Sequence, residues 1–437
     1  MIRIIKGDCL ESLKKLDDKS VNTCITSPPY WGLRDYGTAE WVGGDPECPH
    51  TYHVKSPYNA NFNERCGNAS GQRKQESQRH HVAYKKECKD CGAIRKDSQL
   101  GLEETPEEFV ENLVKVFREV KRVLRDDGTV WLNLGDSYVG GGRGWQYSKE
   151  GTIQQAHIDA GVKYGSPTGK IDGLKSKDLV GIPWRVAFAL QADGWYLRQD
   201  IIWHKPNPMP ESVTDRCTKA HEYIFLLSKS PKYYFDNEAI KEDAVGERWG
   251  GNNPVNKENS KYKDNKYDNG TNEGRFIYDK RNKRSVWTVT TKPFKGAHFA
   301  TFPMDLIEPC ISAGCPEKIC DDCGKPYERV MQKPKQLEVE RNKRSGWDDR
   351  KVGGVLDKYN KENPPIDLGV QKQCDCKTNK TKAGTVLDPF AGSGTTGIVA
   401  AFENRNAVLC ELNEEYIKVA KERINAEVGL WGEVVED

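Results

Sequence analysis

The sequence has no long hydrophobic run and no leader-like amino terminus. No apolar stretch among its 437 residues approaches the roughly 20 residues that span a bilayer. The first residues, MIRIIKGDCLESLKKL, carry acidic side chains early and have no small-residue cleavage site, which argues against a signal peptide. We therefore expect a cytoplasmic protein that does not act at a membrane.

The sequence also lacks an excess of positive or negative charge, whereas cysteine is abundant. The 67 Lys and Arg residues are nearly balanced by 65 Asp and Glu residues, which leaves a formal net charge of +2. This balance neither requires nor excludes nucleic acid, because a basic groove can exist on a protein that is neutral as a whole. The chain has 14 cysteines. In a reducing compartment, clusters of cysteines indicate metal ligands rather than disulfides.

Short apolar runs alternate with helical patterns along much of the chain. Several runs, such as VNTCIT and TVWLNL, are apolar on both faces, as the central strands of a covered parallel sheet are. Between these two runs, Thr105, Pro106 and Glu108 form a capped helix start, and Gly128 is predicted to end the helix. The alternation predicts an α/β fold with a doubly wound, mostly parallel, Rossmann-like sheet.

Three polar stretches without periodicity interrupt this alternation. They are residues 39–100, 237–285 and 316–380. Because structureless loops of that length are uncommon inside a compact domain, we interpret them as insertions into one α/β core. The core is predicted to consist of residues 1–38, 101–236, 286–315 and 381–437.

A glycine-rich loop near the carboxyl terminus indicates a ligand site. Residues 385–397 read TVLDPFAGSGTTG, a strand followed by a tight turn and a helix start. Glycine permits close approach of a ligand, and the helix start offers free N–H groups. The loop lacks both G-x-G-x-x-G and Gly-Lys-Ser/Thr, so neither a dinucleotide nor ATP is favoured. Glu411, about twenty residues beyond the loop, stands where such folds place a ribose-binding carboxylate.

A second motif, TSPPYW at residues 26–31, completes a resemblance to a known family. DPFAGSGTTG resembles the S-adenosylmethionine loop of DNA amino-methyltransferases, and TSPPYW resembles their catalytic motif. The catalytic motif comes first, as in the permuted β group of that family, where target recognition lies between the two halves. The resemblance implies a bacterial or phage-type methyltransferase with S-adenosylmethionine as cofactor and double-stranded DNA as substrate. It also raises a cognate restriction endonuclease as a partner.

The resemblance assigns roles to individual residues of this chain. The catalytic set is Ser27, Pro28, Pro29 and Tyr30. The cofactor-binding set is Asp8, His298, Phe299, Ala300, Phe302, Asp388, Phe390, Gly392, Ser393, Gly394 and Glu411. In this set Asp8 is expected near the adenine and Glu411 at the ribose, and the loop from Asp388 is expected around the methionine. For Phe302, packing in the core is an equal alternative.

The chemistry of an exocyclic amine gives the catalytic motif a physical purpose. The amine lone pair is delocalised into the base, and two acceptors bonding its N–H groups favour a more pyramidal nitrogen. Ser27 Oγ and the Pro28 carbonyl can supply these acceptors on a backbone that the prolines hold, and Tyr30 would stack on a base flipped out of the duplex. In the family, Ser at the first motif position is commoner for cytosine N4, and Asp for adenine N6. We therefore expect cytosine N4 methylation, with adenine N6 as the alternative, and an inactive DNA-binding relative or an RNA methyltransferase as more distant ones.

Basic residues between the two motifs are candidate DNA contacts. The first two, Lys205 and Arg216, lie in a segment that resembles the family's cleft lining. The others form the cluster Lys280, Arg281, Lys283 and Arg284 in the predicted target-recognition region, residues 237–285. A solvated surface charge is the alternative for this cluster. Glu222 is either functional or a structural cap before a strand.

Two sets of cysteine and histidine residues predict structural zinc. Each contains a C-x-x-C pair followed by glycine, the knuckle typical of zinc sites. The first set is Cys48, His50, Cys88 and Cys91, and the second is Cys320, Cys323, Cys374 and Cys376. Polar insertions without a core of their own need such a clamp. Free surface thiols, or a redox pair in the second set, are the alternatives.

Overall fold

The computed structural model describes most of the predicted core and parts of the insertions. The described residues are 1–32, 38, 40–45, 47–48, 88, 90–96, 99–139, 173–243, 280–291, 302–332, 363, 365–429 and 434–436. Four predicted site residues, His50, His298, Phe299 and Ala300, lie outside these ranges. Within the described ranges, no helix is both long and apolar enough to cross a membrane.

Six helices and seventeen strands lie in the described part of the chain. The helices are α1 (Cys9–Lys14), α2 (Pro106–Val123), α3 (Ile182–Ala192), α4 (Met304–Gly314), α5 (Thr395–Phe402) and α6 (Glu414–Val428). The strands are β1 (Ile2–Lys6), β2 (Val21–Thr26), β3 (Glu40–Val42), β4 (Ile94–Lys96), β5 (Leu124–Leu134), β6 (Tyr196–His204), β7 (His221–Ser228), β8 (Glu242–Asp243), β9 (Lys280–Arg281), β10 (Val286–Thr288), β11 (Ile319–Cys320), β12 (Glu328–Gln332), β13 (Ile366–Gln371), β14 (Thr381–Lys382), β15 (Thr385–Asp388), β16 (Asn406–Glu411) and β17 (Val434–Glu436).

One 9-stranded sheet organises the molecule, in the order β10-β6-β7-β5-β2-β15-β16-β1-β17. β7 runs antiparallel to both of its neighbours, and the other neighbouring pairs are parallel. The predicted α/β fold with a doubly wound, mostly parallel sheet is confirmed. The smaller two-stranded sheets β3-β4, β8-β9 and β12-β13 lie in the three predicted insertions. The division into core and insertions stays a prediction.

The central strands are buried because helices cover both faces of the sheet. Every residue of β2 is buried, and its neighbours Cys24 and Ile25 belong to two different core clusters on opposite faces. Phe109 and Phe117 of α2 pack in the cluster of Cys24, whereas Ile307 of α4 packs in the cluster of Ile25. Each fully buried side chain of this size contributes about 1.5–3 kcal/mol to stability.

The predicted end of α2 at Gly128 is wrong. The helix ends at Val123, and β5 begins at Leu124 and runs through Gly128. Leu124 is fully buried in extended conformation and pairs with Val21 of β2. A Cβ at Gly128 would lie 2.8 Å from the Asn22 carbonyl oxygen, so the close approach of β2, rather than a helix end, requires glycine there.

The chain leaves the adjacent strands β2 and β15 in opposite directions. α2 leads from β2 to β5 on one side of the pair, whereas α5 leads from β15 to β16 on the other. The carboxyl ends of β2 and β15 therefore flank a topological switch point. Doubly wound sheets bind their ligands in the crevice at such a point.

Candidate active site

A buried carboxylate joins the two sequence motifs at the switch point. Asp388, the last residue of β15, accepts hydrogen bonds from Thr26 Oγ1 and Thr396 Oγ1, both at 2.6 Å, and from the Phe390 N–H at 3.1 Å. Thr26 ends β2 and directly precedes Ser27, and Thr396 lies in the first turn of α5. Burial raises the pKa of Asp388, and the two hydroxyl donors oppose that rise. This bridge holds the SPPY segment, the glycine loop and α5 together.

Two predicted cofactor contacts turn their side chains into the protein. Asp388 is 1% exposed and Ser393 is 2% exposed. Arg423 of α6 donates to Ser393 Oγ at 2.8 Å and to the Ser393 carbonyl at 3.0 Å. These side chains organise the loop, so the part of Asp388 and Ser393 that a ligand could reach is the backbone.

The glycines of the loop serve two different purposes. Gly392 has φ +51° and Gly394 has φ +77°, a region that favours glycine. A Cβ at Gly394 would lie 3.0 Å from Ala420 Cβ, so the packing of α6 requires its small size. A Cβ at Gly392 would meet no atom within 4 Å, and its N–H donates to Glu411 Oε2 at 2.8 Å. Open space therefore lies beside the Glu411 carboxylate.

Glu411, the last residue of β16, has a raised pKa. Its second oxygen accepts from the Asn413 N–H at 2.8 Å. Burial raises the pKa of Glu411 to about 7, although the N–H groups of Asn413 and Gly392 oppose the rise. Asp8 lies just beyond the end of the adjacent strand β1, where it caps α1 by accepting from the Leu10 N–H at 2.9 Å. The structure thus brings Asp8, Glu411 and the glycine loop to one edge of the sheet.

The two predicted aromatic contacts in the described ranges are partly buried. Phe390 packs against the core cluster of α2. Phe302 packs against the core cluster of α4. Both residues have a structural contact, and a cofactor role for either stays a prediction.

A second polar network surrounds Tyr30 of the SPPY segment. The Tyr30 hydroxyl donates to Glu222 Oε2 at 2.8 Å, and Asn133 Oδ1 lies 3.1 Å from the same hydroxyl. Asn133 Nδ2 donates to Glu222 Oε2 at 3.3 Å and to the Tyr223 carbonyl at 3.0 Å. Ser27 Oγ lies 3.5 Å from the Tyr30 hydroxyl, so the network reaches the first residue of the motif.

Lys205 belongs to this network rather than to an open surface. Its Nζ donates to Glu222 Oε1 and lies 4.1 Å from the centroid of the Trp203 ring. The side chains of Lys205 and Glu222 are only 18% and 17% exposed. Because a largely buried carboxylate needs a partner, this ion pair holds Glu222 in position where it meets Tyr30.

Two glycines fit closely around Tyr30. A Cβ at Gly135 would lie 2.4 Å from Tyr30 Cε2, and one at Gly101 would lie 2.9 Å from the Tyr30 carbonyl oxygen. The Gly32 N–H donates to the Gly101 carbonyl at 2.8 Å. The ring and the backbone of Tyr30 are therefore both held in place.

Arg216 is paired with an acid near the start of β7. Its Nη1 donates to Glu211 Oε2 at 2.5 Å, and its guanidinium lies 3.9 Å from the centroid of the Tyr138 ring. Its side chain is 28% exposed. Arg216 is thus fixed in position at the part of the chain that leads into β7.

The predicted basic cluster lies beside β8, the strand that contains Glu242. Its members are Lys280, Arg281, Lys283 and Arg284. Arg281 and Arg284 both donate to Glu242 Oε1, at 2.9 Å and 2.6 Å. Lys283 lies 5.0 Å from the centroid of the Trp287 ring, and Lys280 is exposed. The structure therefore places Arg281 and Arg284 at one acid, Lys283 at one aromatic ring and Lys280 in an exposed position, and the contact of the four residues with DNA stays a prediction.

Seven of the eight predicted metal ligands form two clusters in the structure. One contains Cys320, Cys323, Cys374 and Cys376, and the other contains Cys48, Cys88 and Cys91. Within each cluster the sulfur atoms all lie within 4.8 Å of one another.

Four residues at the site were missed or left undecided by the sequence interpretation. Thr26 and Thr396 hold Asp388, and Asn133 and Glu222 hold Tyr30. Asn133 could have been recognised from the sequence, because a polar residue inside the apolar strand TVWLNL must find a buried partner. The partners of the two threonines lie 362 and 8 residues away, and nothing in the local sequence marks them.

The switch-point site with its paired motifs defines a Rossmann-like methyltransferase. The family model described as DNA methylase, which represents the N6/N4 type, matches residues 21–323 and 371–422. The chain belongs to this N6/N4 DNA methylase family, and it is accordingly a DNA methyltransferase. The resemblance inferred from TSPPYW and DPFAGSGTTG is confirmed.

Two relatives are similar in sequence to this chain over nearly its whole length. The Type II methyltransferase M.SmaI of Serratia marcescens is 36% identical over 97% of this chain and 90% of its own length. The Type II methyltransferase M.Cfr9I of Citrobacter freundii is 35% identical over 97% of this chain and 88% of its own length. Among solved structures, the PvuII DNA methyltransferase, described as cytosine-N4-specific, aligns over 100% of this chain and 95% of its own, with 14% identity and a TM-score of 0.45.

Removing one hydroxyl from the Asp388 bridge should destabilise the fold. In Thr396→Val, Asp388 loses one of its 2.6 Å donors without a large change in volume, so we expect the free energy of unfolding to fall by about 1–3 kcal/mol. Denaturant unfolding followed by fluorescence measures this. Thr396→Ser keeps the hydroxyl and is the matched control. Equal stability of the Val and Ser variants would show that the bridge contributes nothing.

Proposed function

We propose that this DNA methyltransferase transfers the methyl group of S-adenosylmethionine to the exocyclic N4 amine of a cytosine flipped out of duplex DNA. The observation that carries the proposal is the bridge from Thr26 through Asp388 to Thr396. It fixes Ser27 beside the glycine loop, so that an amine held by one motif faces a methyl donor held by the other. Such alignment is the main demand of a direct transfer between two bound molecules.

The glycine loop suits S-adenosylmethionine in shape and in donor set. Gly392 borders open space, and the ribose hydroxyls find an acceptor in the adjacent Glu411 carboxylate. Asp8 stands at the end of the neighbouring strand, where the adenine is expected. When bound, the cofactor supplies an electrophilic methyl group on a sulfonium, so the protein need not provide a covalent nucleophile.

Ser27 and Pro28 act on the amine of the target base. Ser27 Oγ accepts one N–H and the Pro28 carbonyl accepts the other, which favours a pyramidal nitrogen with its lone pair directed at the methyl group. Both residues follow β2 directly, and Pro28 is buried. Since Pro29 restricts the backbone of Pro28, the carbonyl is held in position before the base arrives.

Glu222 is proposed as a positioning residue that acts through Tyr30. Tyr30 is expected to stack on the flipped base, and its hydroxyl is already bonded to Glu222 at 2.8 Å. Lys205 holds the second oxygen of Glu222. A ring fixed in advance loses little freedom when the base binds, which favours the reacting geometry. We propose that the first role of Lys205 is to hold Glu222, and its contact with a DNA phosphate stays a prediction.

The choice of cytosine rests on Ser27 as the first residue of the motif. A neutral hydroxyl and a carbonyl can accept from either cytosine N4 or adenine N6, so adenine N6 is the alternative that product analysis must test. Arg216 and the basic cluster are proposed to contact the DNA backbone, which positions the duplex without reading its sequence. Relatives named Type II methyltransferases support a cognate restriction endonuclease as the biological partner.

Ser27→Ala should remove one of the two acceptors and lower the rate of methylation. We expect the turnover number to fall by about two to three orders of magnitude, comparable to the loss of one preorganised hydrogen-bonding group elsewhere. Transfer of labelled methyl groups to duplex DNA measures the rate, and nucleoside analysis of the product identifies the modified base. Ser20→Ala, at an exposed serine, is the control and should keep full activity. Labelling of RNA alone would refute the DNA substrate, and N6-methyladenine would refute the cytosine assignment.

Cofactor affinity should depend on pH through Glu411. The ionised carboxylate is the stronger acceptor for ribose hydroxyls, and its pKa is raised to about 7. As the pH falls from about 8 to about 6, Glu411 gains a proton and the dissociation constant for S-adenosylmethionine should rise roughly tenfold. Calorimetric titration measures this constant. In Glu411→Gln, binding should be weaker and nearly independent of pH. An unchanged pH profile in that variant would exclude Glu411 as the titrating group.

Glu222→Gln tests the positioning role. The amide still meets the Tyr30 hydroxyl but no longer neutralises Lys205, so we expect a roughly tenfold lower turnover number with an unchanged KM for S-adenosylmethionine. Glu222→Ala, which also removes the hydroxyl partner, should lower turnover further. Glu107→Gln breaks an exposed ion pair with Arg185 and is the matched control. If both Glu222 variants lose only stability and keep the wild-type turnover number, the residue is a structural cap.

A further inference from the structure

The four-cysteine cluster has the geometry of a metal site. Its sulfur atoms lie within 4.8 Å of one another, and all four cysteines are free thiols. Tetrahedral coordination with Zn–S bonds of about 2.3 Å places sulfurs about 3.8 Å apart, which small side-chain rotations would reach here. In the three-cysteine cluster, Cys48 Sγ and Cys88 Sγ are already 3.9 Å apart. A disulfide would need a separation of about 2.05 Å.

The two C-x-x-C turns share one backbone construction. In each turn the N–H of the first cysteine donates to the carbonyl oxygen five residues further on, at 2.7 Å for Cys88 and 2.9 Å for Cys320. The glycine after the second cysteine donates back to the carbonyl of the first, at 2.8 Å for both Gly92 and Gly324. These glycines have φ +71° and +67°. Two unrelated insertions thus build the same knuckle, which a chance gathering of thiols would not do.

Cys88 and Cys320 are buried, but packing does not explain the other cysteines of the two clusters. Cys24, Cys310 and Cys410 of the same chain are fully buried and serve as small apolar residues of the core. In the clusters, by contrast, Cys323 is exposed and Cys376 is only half-buried. Partly exposed thiols that converge on one point gain little from burial, whereas they fit the demands of a metal ion.

We propose that each cluster binds one structural zinc ion. The ion of the four-cysteine cluster has four thiolate ligands. The ion of the three-cysteine cluster has Cys48, Cys88 and Cys91 as its thiolate ligands. Soft thiolate ligands in a tetrahedral arrangement select zinc over magnesium or calcium.

The four-cysteine site lies near the amino ends of two strands of the large sheet, β5 and β15. At the four-cysteine site, Cys320 of β11 pairs with Thr381 of β14, which shortly precedes the amino end of β15. Gly324 of the same knuckle packs against Arg125 near the amino end of β5. This edge is remote from Ser27, which follows the carboxyl end of β2, so the ion closes the third insertion and takes no part in methyl transfer.

The three-cysteine site lies in the first predicted insertion, which follows the catalytic motif along the chain. β3 and β4 form a short antiparallel pair next to it, and Gly44 packs against Cys91 and Ala93. Lys96 at the end of β4 is five residues from Gly101, so it lies within about 17 Å of the backbone that contacts Tyr30. This ion therefore stabilises the insertion that begins shortly after the catalytic motif and ends close to Gly101, which contacts Tyr30.

Metal analysis of variants tests the proposal. Full-length protein purified without chelator should contain about two zinc ions per chain by mass spectrometry of the metal. The pairs C320S/C323S and C88S/C91S should each lose one ion. Cys217→Ser is the control, because Cys217 is exposed and belongs to neither cluster, and it should keep both. No zinc in the wild type, iron in its place, or unchanged zinc in either double variant would overturn the proposal.

A spectroscopic measurement covers the case in which a double variant does not fold. Wild-type protein in which cobalt(II) replaces zinc should show intense thiolate charge-transfer absorption and the visible bands of a tetrahedral ion. Its methyltransferase activity should stay within about twofold of the zinc protein, because neither ion is proposed to meet the substrate. Absence of the thiolate bands would contradict cysteine ligation, and a large change in activity would contradict a structural role.

Discussion

The carboxylate of Asp388 is the contact on which the site depends. It is buried at the switch point of the sheet, where it costs stability unless its lone pairs are used. Thr26, Thr396 and the Phe390 N–H use them. Because Thr26 ends one strand and Asp388 ends its neighbour, satisfying one charge also sets the distance between the two motifs. The energetic requirement and the geometric requirement are met by the same hydrogen bonds.

The reversed direction of β7 supplies the other half of the site. Since β7 runs antiparallel to β5, its first residues lie at the carboxyl edge of the parallel strands, and Tyr223 pairs with Leu134. Glu222, near the start of β7, therefore reaches Tyr30 and Asn133. If β7 ran parallel to β5, its first residues would lie at the opposite end of the sheet. In the same way, Lys205, directly after β6, meets Glu222, the second residue of β7. Strand direction thus brings a carboxylate and its cation to a motif that lies far away in sequence.

Much of the fold could be predicted from the sequence, but the contacts within the site could not. The strands around VNTCIT and TVLD and the helix starting after Thr105 are marked by local patterns, namely apolar runs and a capping box. Gly128 was misread because glycine suits both a helix end and a close strand contact, and only the position of Asn22 distinguishes them. Glu222 stayed undecided for a similar reason. The structure places Glu222 inside β7 rather than before it, and its partner Tyr30 lies 192 residues earlier, which no local feature of the sequence indicates.

The position of β1 has a consequence for how the protein is made. β1 is synthesised long before its two neighbours β16 and β17: Ile2 pairs with Ala407 on one side and with Val434 on the other. On the ribosome, where the chain emerges from its amino end, β1 must therefore remain without these sheet neighbours until β16 and β17 have been translated. Closing so long a loop slows folding more than it weakens the final structure. The SPPY segment is thus translated long before the glycine loop, and the site that joins them can form only after both have been made.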